Sequence, residues 1–529
     1  MVKGFRQIAS LTALSRVFGL IRDMCYSNFL GAGGLMDAWT IAFKIPNLAR
    51  RLFGEGAASA SLIPIYAEEL ASDRAKAKKL ADTVVSVIFV ILAGFVLLGW
   101  LLMWLYCAIG EKNPETKLIL TLSSVMLPYT LMICTVAILA GILNVHRHFA
   151  TPAAAPIVLN IFIITSILVS GWAIGLEPAQ IVFVAAVAVL LSGVTQIAMQ
   201  MFALKAHGVH IRPAWDIHSA AFKKILLLMA PMIIGLTATQ INTLFDDVIA
   251  WLLSGSAEKG DIFVFFGRAL SYPLKRGSVS HLYYAQRLYQ MPLGVLGISF
   301  ATAIFPAMSA AAAGKDHQKL TETITKSIKF AVFIAIPATA GLILVAKPLI
   351  MVIFEHGKFS GQATDATAWT LYFYSLGLCG FFAQQVLTRA FYSLQDSKTP
   401  MRSAIIAVCL NIFLNLTLIW PLGTGGLALS TAICSYLQVV LLITDLRRRF
   451  GRTILLNLRT TIIKTVIGAV IMTLSAWILL YMMRTLPQTR MFNIIRIAVI
   501  VPSAGAVYYL AAKLLRNASL SLLGGSAYR

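Results

Sequence analysis

The decapeptide SRVFGLIRDM, residues 15–24, places Arg16, Arg22 and Asp23 inside an apolar run from Ile8 to Leu30 that is long enough to cross a bilayer. Each such charge costs roughly 2.5 to 3.5 kcal/mol at the bilayer centre on an insertion scale. The next run, DAWTIAFKIPNLARRLFGEG, adds Asp37, Lys44, Arg50, Arg51 and Glu55. Between residues 16 and 55 there are thus five cations against three anions, a surplus of two, which Arg287 in YYAQRLYQMP raises to three. Facing lipid, such a set would not insert, so it must line a hydrated cavity. A wet, positive cavity binds an anion. Five of the six cations are arginines, whose planar forks suit bidentate binding of phosphate oxygens. The structural alternative is that these residues are mutually neutralised pairs holding helices together. At 100° per residue Asp37, Lys44, Arg51 and Glu55 lie within about 40° of one another and Arg50 lies off that stripe. Pro46 is expected to kink this helix near Ala42.

Other polar groups carry less. Asp246 and Asp247 fall towards the end of a predicted helix and read as a solvated terminus, with a cation site as the other reading. Gln384, Gln385 and Arg389 offer polar contacts without a chemical signature. His146, Arg147 and His148, and His207 to His210, fall in predicted loops, where they read as solvated or facing headgroups rather than as a metal site. The six cysteines stand singly with no paired spacing and read as small hydrophobes. The nucleotide-binding pattern GxxxxGK[ST] and the hydrolytic patterns HExxH and GxSxG do not occur. No catalytic residue, metal ligand or cofactor is predicted, so transport would draw on an ion gradient, the membrane potential or the substrate's own gradient.

The elements that hold these residues are transmembrane helices. Hydrophobic residues make up 59% of the chain and charged residues 12%, against about a quarter charged in soluble domains. Apolar runs predict fourteen helices, near 7–30, 35–66, 82–109, 118–145, 152–173, 179–204, 222–254, 281–311, 327–354, 364–394, 400–420, 425–446, 460–483 and 494–515. The net charge of +23 collects on alternate connections, such as RAKAKK at 74–79 and RRRFGR at 447–452, while GAGG at 31–34, GLEP at 175–178 and GTGG at 423–426 lack basic residues. Basic loops of this kind predict that both termini are cytoplasmic and account for the charge without nucleic acid. The N-terminus MVKGFRQIAS lacks a signal-peptide cleavage site, and the tail from Asn517 is expected to be disordered.

Two stretches recur in order. SASLIPIYA (59–67) resembles ATAIFPAMS (301–309), and NVHRHFATPAAAPIVLNIF (144–162) resembles SLQDSKTPMRSAIIAVCLNIF (393–413), with offsets of 242 between the prolines 64 and 306 and 248 between the threonines 151 and 399. A repeat of about 245 residues holding six helices predicts two lobes in the same orientation, related by an axis along the membrane normal. The expected division is 1–215 for the first lobe, 216–450 for the second and 451–529 for two further helices and the tail. Those last two helices read as packing or an anchor, or as having a function of their own.

The runs SRVFGLIRD, GAGGLMDAWTIAFKIPNLARRLFGEGAASASLIP, YYAQRLYQMPLGVLG and RAFYSLQDSKTP together resemble the MurJ (MviN) family of lipid II flippases, within the multidrug, oligosaccharidyl-lipid and polysaccharide exporter superfamily. The resemblance covers nearly the whole chain. It implies a multi-pass protein of the bacterial inner membrane, needed for the cell wall and cell shape. Such a protein turns the undecaprenyl-diphosphate disaccharide-pentapeptide from the cytoplasmic to the periplasmic leaflet by alternating access. It implies that Arg22, Asp23 and Arg287 meet the diphosphate, that Arg16, Arg50 and Glu55 belong to the gate region, and that Asp37 is an acidic residue on the periplasmic side. The final helix pair would form a groove for the polyprenyl tail. Lipid II, membrane lipids and proteins of cell-wall synthesis are the implied partners. The chain departs from the family in an insertion over about 256–277, with its IFVFF run, and in Gln286 beside Arg287. Helix 10 of the prediction holds no carboxylate beyond Asp365 at its start, so coupling to sodium is not expected. Competing readings are export of another polyprenyl-diphosphate oligosaccharide or of an amphiphilic drug, an integral-membrane glycosyltransferase, and a silent scaffold for cell-wall enzymes.

Overall fold

A computed structural model describes the chain except residues 1, 53–57, 257–258, 266, 452–455, 486, 488, 518 and 521–529. Glu55 and the end of the predicted disordered tail therefore lie outside the described residues. Seventeen α-helices are described: α1 (Val2–Phe29), α2 (Gly34–Ala49), α3 (Ala58–Ser72), α4 (Arg74–Ala108), α5 (Pro114–Val145), α6 (Ala150–Leu168), α7 (Pro178–Ala206), α8 (Ala220–Leu252), α9 (Ser278–Pro292), α10 (Ser299–Ala313), α11 (His317–Ile353), α12 (Gly361–Leu376), α13 (Leu378–Ser393), α14 (Lys398–Leu422), α15 (Thr424–Phe450), α16 (Leu458–Met482) and α17 (Arg490–Leu514). Ten of these spans, some including a π-helical turn, are long and apolar enough to cross a membrane. All fourteen predicted segments have helical counterparts, and three of them are divided, 281–311 by a π segment over Leu293–Ile298 between α9 and α10.

The first division follows α2. This helix runs through Pro46 to Ala49, and residues 50–52 then form a π turn in which the Arg50 N–H bonds to the carbonyls of Asn47 and Pro46. The predicted stripe from Asp37 to Glu55 therefore loses its uniform 100° register beyond Ala49, because a π turn takes extra residues. The third division is at Gly377, between α12 and α13, where a Cβ would press on the Phe381 ring and on Ala432 Cα of α15.

Helices also extend past the apolar runs. Asp73 accepts hydrogen bonds from the N–H groups of Ala75 and Lys76, so RAKAKK forms the first turns of α4 rather than a loop. Bilayer thickness limits the apolar run, whereas capping groups set the helix end.

The chain divides into two compact units, residues 1–244 and 245–529, with the boundary inside α8. In the first unit α5 is central and packs against α2, α3, α4 and α7, while α6 bridges α1 and α7. The connection after α7 is clipped to α4: Asp82 accepts from the Arg212 N–H at 3.0 Å and Ser86 from the Ala214 N–H at 3.1 Å. In the second unit the widely connected helix is α11, touching α10, α12, α13, α16 and α17. The two helices outside the duplication dock there through Met472, Ala476, Ile500 and Ala504 on Val345, and the Tyr508 hydroxyl donates to the Phe333 carbonyl at 2.7 Å.

The repeat is visible in the backbone. α9, a π segment over Leu293–Ile298 and α10 repeat the order of α2, its π turn and α3. The starts of α2 and α9 lie 244 residues apart, and those of α3 and α10 lie 241 apart. Arg147 and Gln395, 248 residues apart, take the same left-handed φ of 60° and 58° at the turns before α6 and α14.

Helices α14 and α15 pack closely at Gly426, where a Cβ would fall on the Leu418 carbonyl. Backbone cannot yield there as a flexible side chain would. Gly426→Ala is expected to destabilise the protein by about 1 to 3 kcal/mol, read as a lower melting temperature in detergent, whereas Gly505→Ala, which meets open space, leaves it unchanged.

Candidate functional site

The first unit contains a buried ionic site built from α1 and α6. Arg22 donates through Nε (3.1 Å) and Nη2 (2.7 Å) to Asp23 Oδ1, and through Nη1 to Asn160 Oδ1 (3.0 Å). Asn160 in turn donates its Nδ2 to the Ser15 carbonyl at 3.3 Å, which fixes the oxygen side of the amide towards Arg22. The guanidinium lies 5.5 Å from the centre of the Tyr26 ring. Tyr26 begins an aromatic column that continues through Trp39 and Phe43 of α2 to Tyr129 of α5, with centroid steps of 5.5, 5.7 and 6.5 Å. Gln196 of α7 donates to the Tyr129 hydroxyl at 3.4 Å. Two helices, α1 and α6, therefore hold the arginine, and α2, α5 and α7 continue the packing from Tyr26. Its fixed fork of donors next to a carboxylate is equipped to trade that carboxylate for phosphate oxygens.

The other predicted residues lie on α1, on α2 and its π turn, and on α9. Asp37 is buried in the first turn of α2, where the helix dipole favours an acid. Lys44 is half-buried and Arg16 is exposed on α1. Arg50 donates to Asn47 Oδ1 at 3.2 Å, and Arg51 to Gln240 Oε1 of α8 at 3.0 Å. In the second unit Arg287 lies 4.6 Å from the Tyr283 ring centre and donates to the Tyr283 hydroxyl at 3.2 Å. Its neighbour Gln286 donates to Tyr374 at 3.0 Å.

Asp246 and Asp247 are not a solvated helix end, for they are 1% and 2% exposed. Asn415 donates to Asp246 Oδ1 at 2.6 Å and to Asn411 Oδ1 at 2.9 Å, and Thr431 donates to Asp246 Oδ2 at 3.2 Å. Ser430 donates to Asn415, and Asn411 donates to Ser430 and Thr431 at 3.3 Å each. The sequence reading missed this network because it placed Asp246 by its distance from the end of an apolar run. A signal was available in the repeat. Asp23 lies six residues before the end of α1 and Asp246 six before the end of α8. Asn160 and Asn411 occupy the same place in the repeated Leu-Asn-Ile-Phe. The two units thus build corresponding polar sites, one around an Arg–Asp pair and one around an aspartate held by amides and hydroxyls.

Of the histidines predicted to be solvated, His207 and His210 are exposed and His146 and His148 half-buried, and three of the four cluster. His146 Nε2 is 3.0 Å from the Tyr66 hydroxyl, and the His146 and His148 rings lie 6.3 and 5.1 Å from that of His207. Burial lowers the pKa of both His146 and His148, and charge repulsion from His207 adds to it, together with Arg74 for His146. No group of three or more His, Cys, Asp or Glu among the described residues is arranged to hold a metal ion. Cys25, Cys134 and Cys434 are buried as expected, whereas Cys107 and Cys409 are exposed on helix surfaces.

At the turn between α13 and α14, Asp396 accepts from the Thr399 N–H (3.0 Å) and hydroxyl (2.7 Å) and from Arg449. Burial raises its pKa, but these donors outweigh burial and hold it at about 2. A depressed carboxylate contributes stability above its unfolded value that is lost as pH falls through about 2, so no change is expected between pH 5 and 8 from this group. Asp396→Asn is expected to cost about 1 to 2 kcal/mol near neutral pH, allowing for screening of Arg449, with the deficit in thermal stability vanishing towards pH 2.

A family model described as "Lipid II flippase MurJ" matches residues 26–497. The chain belongs to the MurJ family. A probable lipid II flippase MurJ of Vibrio cholerae is 35% identical, over 82% of this chain and 81% of the relative. One of Rhizobium meliloti is 31% identical, over 100% of this chain and 96% of the relative. A solved structure titled lipid II flippase MurJ, inward closed conformation, superposes with a TM-score of 0.75 at 24% identity, covering 96% of this chain and 99% of the other. An inward-facing MATE transporter of the MOP superfamily gives 0.65 at 15% identity, covering 84% and 98%. These two establish the fold. As a MurJ-family protein the chain is a multi-pass membrane protein, and its predominantly helical fold is shared with both of these structures.

Proposed function

We propose that this chain is a lipid II flippase that carries the undecaprenyl-diphosphate-linked peptidoglycan precursor across the bacterial inner membrane by alternating access, with both termini cytoplasmic. The observation that carries the reading is Arg22, buried and held by Asp23 and Asn160 in a chain whose family is MurJ. In this reading Asp23 keeps the guanidinium oriented while the site is empty. An arriving diphosphate, of about two negative charges, takes over the Nη donors, and Arg287 supplies a further cation. Protein chemistry at the site is binding and orientation; no bond of the substrate is broken.

The apolar tail has a seat within the second unit. A groove of about 450 Å³ runs between α11, α15 and α16, lined by Ile336, Ile343, Tyr436, Val466, Val470 and Leu474. An isoprenoid chain would bury its methyl branches against these side chains.

The test is complementation of a bacterium depleted of its own lipid II flippase, combined with an assay of lipid II accessible at the outer surface. Wild type is expected to restore both, and Arg287→Ala, at matched membrane abundance, to restore neither. A folded wild-type protein that restores neither would overturn this reading in favour of another lipid-linked saccharide.

A further inference from the structure

The connection between α1 and α2 takes four residues, 30–33, whereas the corresponding connection between α8 and α9 takes twenty-five, 253–277. The extra length folds. Strand β1 (Ser254–Gly255) pairs in parallel with β4 (Leu274–Lys275) at the base. Beyond it β2 (Ile262–Phe265) and β3 (Arg268–Ser271) form an antiparallel hairpin, with Ile262 opposite Ser271 and Val264 opposite Ala269. Alternation along a strand puts Phe263 on one face and Ile262 and Val264 on the other. The Phe263 ring packs at 4.8 Å on Tyr272 and stacks at 6.3 Å on Trp420 in the last turn of α14. The opposite face is left open, with Ile262 60% and Val264 74% exposed.

What covers that face follows from where Trp420 stands. α14 turns Ile405, Ile406, Phe413, Leu416 and Trp420 outward, the stripe by which a membrane-spanning helix meets acyl chains. Trp420 ends that stripe. At the same end Trp369 donates to the Leu422 carbonyl at 3.0 Å. Trp251, in the last turn of α8, lies under the Lys259 ammonium at 4.3 Å. Indoles collect at the membrane–water boundary, where one edge is apolar and the other wet. The hairpin is thus pinned at headgroup level, as a continuation of a lipid-facing surface. Its loop carries Lys259, Arg268, Lys275 and Arg276 against Glu258 and Asp261, a surplus of two cations suited to phosphates.

We propose that the 261–272 hairpin is an interfacial membrane anchor, its Ile262 and Val264 face inserted into the phospholipid headgroup layer at the α8 and α14 ends. A two-stranded hairpin has little stability alone in water, and contact with Trp420 on one side and lipid on the other supplies two partners for it. The proposal does not depend on what the protein transports.

Nitroxide labels at Ile262→Cys and Val264→Cys test it, with Lys275→Cys as an exposed reference. The background is the full-length chain carrying Cys107→Ser and Cys409→Ser, and the same background without an added cysteine supplies the blank. The protein is reconstituted in vesicles of phosphatidylethanolamine and phosphatidylglycerol, and the collision rates of oxygen and of a water-soluble nickel chelate with each label are compared. The oxygen-to-nickel ratio is expected to exceed one at 262 and 264 and to fall below one at 275. Ratios below one at 262 and 264 would overturn the proposal by placing them in water. Low rates with both probes would overturn it by showing protein over the face. Ala269→Cys, on the same face, replaces any label position whose variant does not elute as a single species.

Discussion

Arg22→Ala is expected to abolish both growth rescue and surface-accessible lipid II, and to lower stability as well. Removing the guanidinium leaves the buried Asp23 carboxylate without its closest cation, a change worth about 3 to 5 kcal/mol for a broken buried pair. Loss of function by that variant alone would therefore have two explanations. The double variant Arg22→Ala with Asp23→Asn separates them, because the stranded charge is gone and only the anion-binding group is missing. It is expected to melt closer to wild type and still to flip no lipid II. Arg22→Lys keeps the charge but not the planar fork that reaches Asp23 and Asn160 together, and is expected to restore growth only in part. Full flipping by the double variant would show that Arg22 serves packing alone, and the diphosphate assignment would fall.

Asp246→Asn is expected to fold and fail to transport. The substitution is nearly isosteric. Its amide oxygen still accepts from Asn415, and the Thr431 hydroxyl can rotate from donor to acceptor at the new nitrogen. Asp246→Ala removes both acceptors and should cost about 1 to 3 kcal/mol, whereas Asp246→Asn should shift the melting temperature little. The reading under test is the second one that the sequence offered for this pair, a cation site, in a protein whose transport draws on an ion gradient or the membrane potential. Wild-type flipping by Asp246→Asn in reconstituted vesicles, with its dependence on an imposed ion gradient intact, would place that coupling elsewhere.

Much of this was legible in the residues. Apolar run lengths located the helices because the bilayer imposes one thickness on all of them. The duplication was readable from Pro64 and Pro306 and from the two Thr-Pro pairs because it repeats irregular features, a π turn and a left-handed turn, that demand particular residues. The Arg22–Asp23 pair stood out as charge in the wrong solvent. The polar cluster at Asp246 did not, since its partners Asn411, Asn415, Ser430 and Thr431 are uncharged and come from two other helices. The insertion also hid it, because twenty-one extra residues lie between α8 and α9 and break the constant offset at the one helix where it was needed. Helix ends at Arg74 and Gly377 depend on a cap and on a close backbone approach, which hydropathy does not report.

Corresponding positions six residues from the ends of α1 and α8 both hold aspartate, yet one is neutralised by its own neighbour and the other is held by amides. A half-length ancestor working as a pair of identical chains would have carried the same residues in both places, and any change improving one would have altered its twin. Two halves in one chain are free of that constraint. The difference between Arg22 in one half and Phe245 at the matching place in the other is one that a pair of identical chains could not carry and a single chain can.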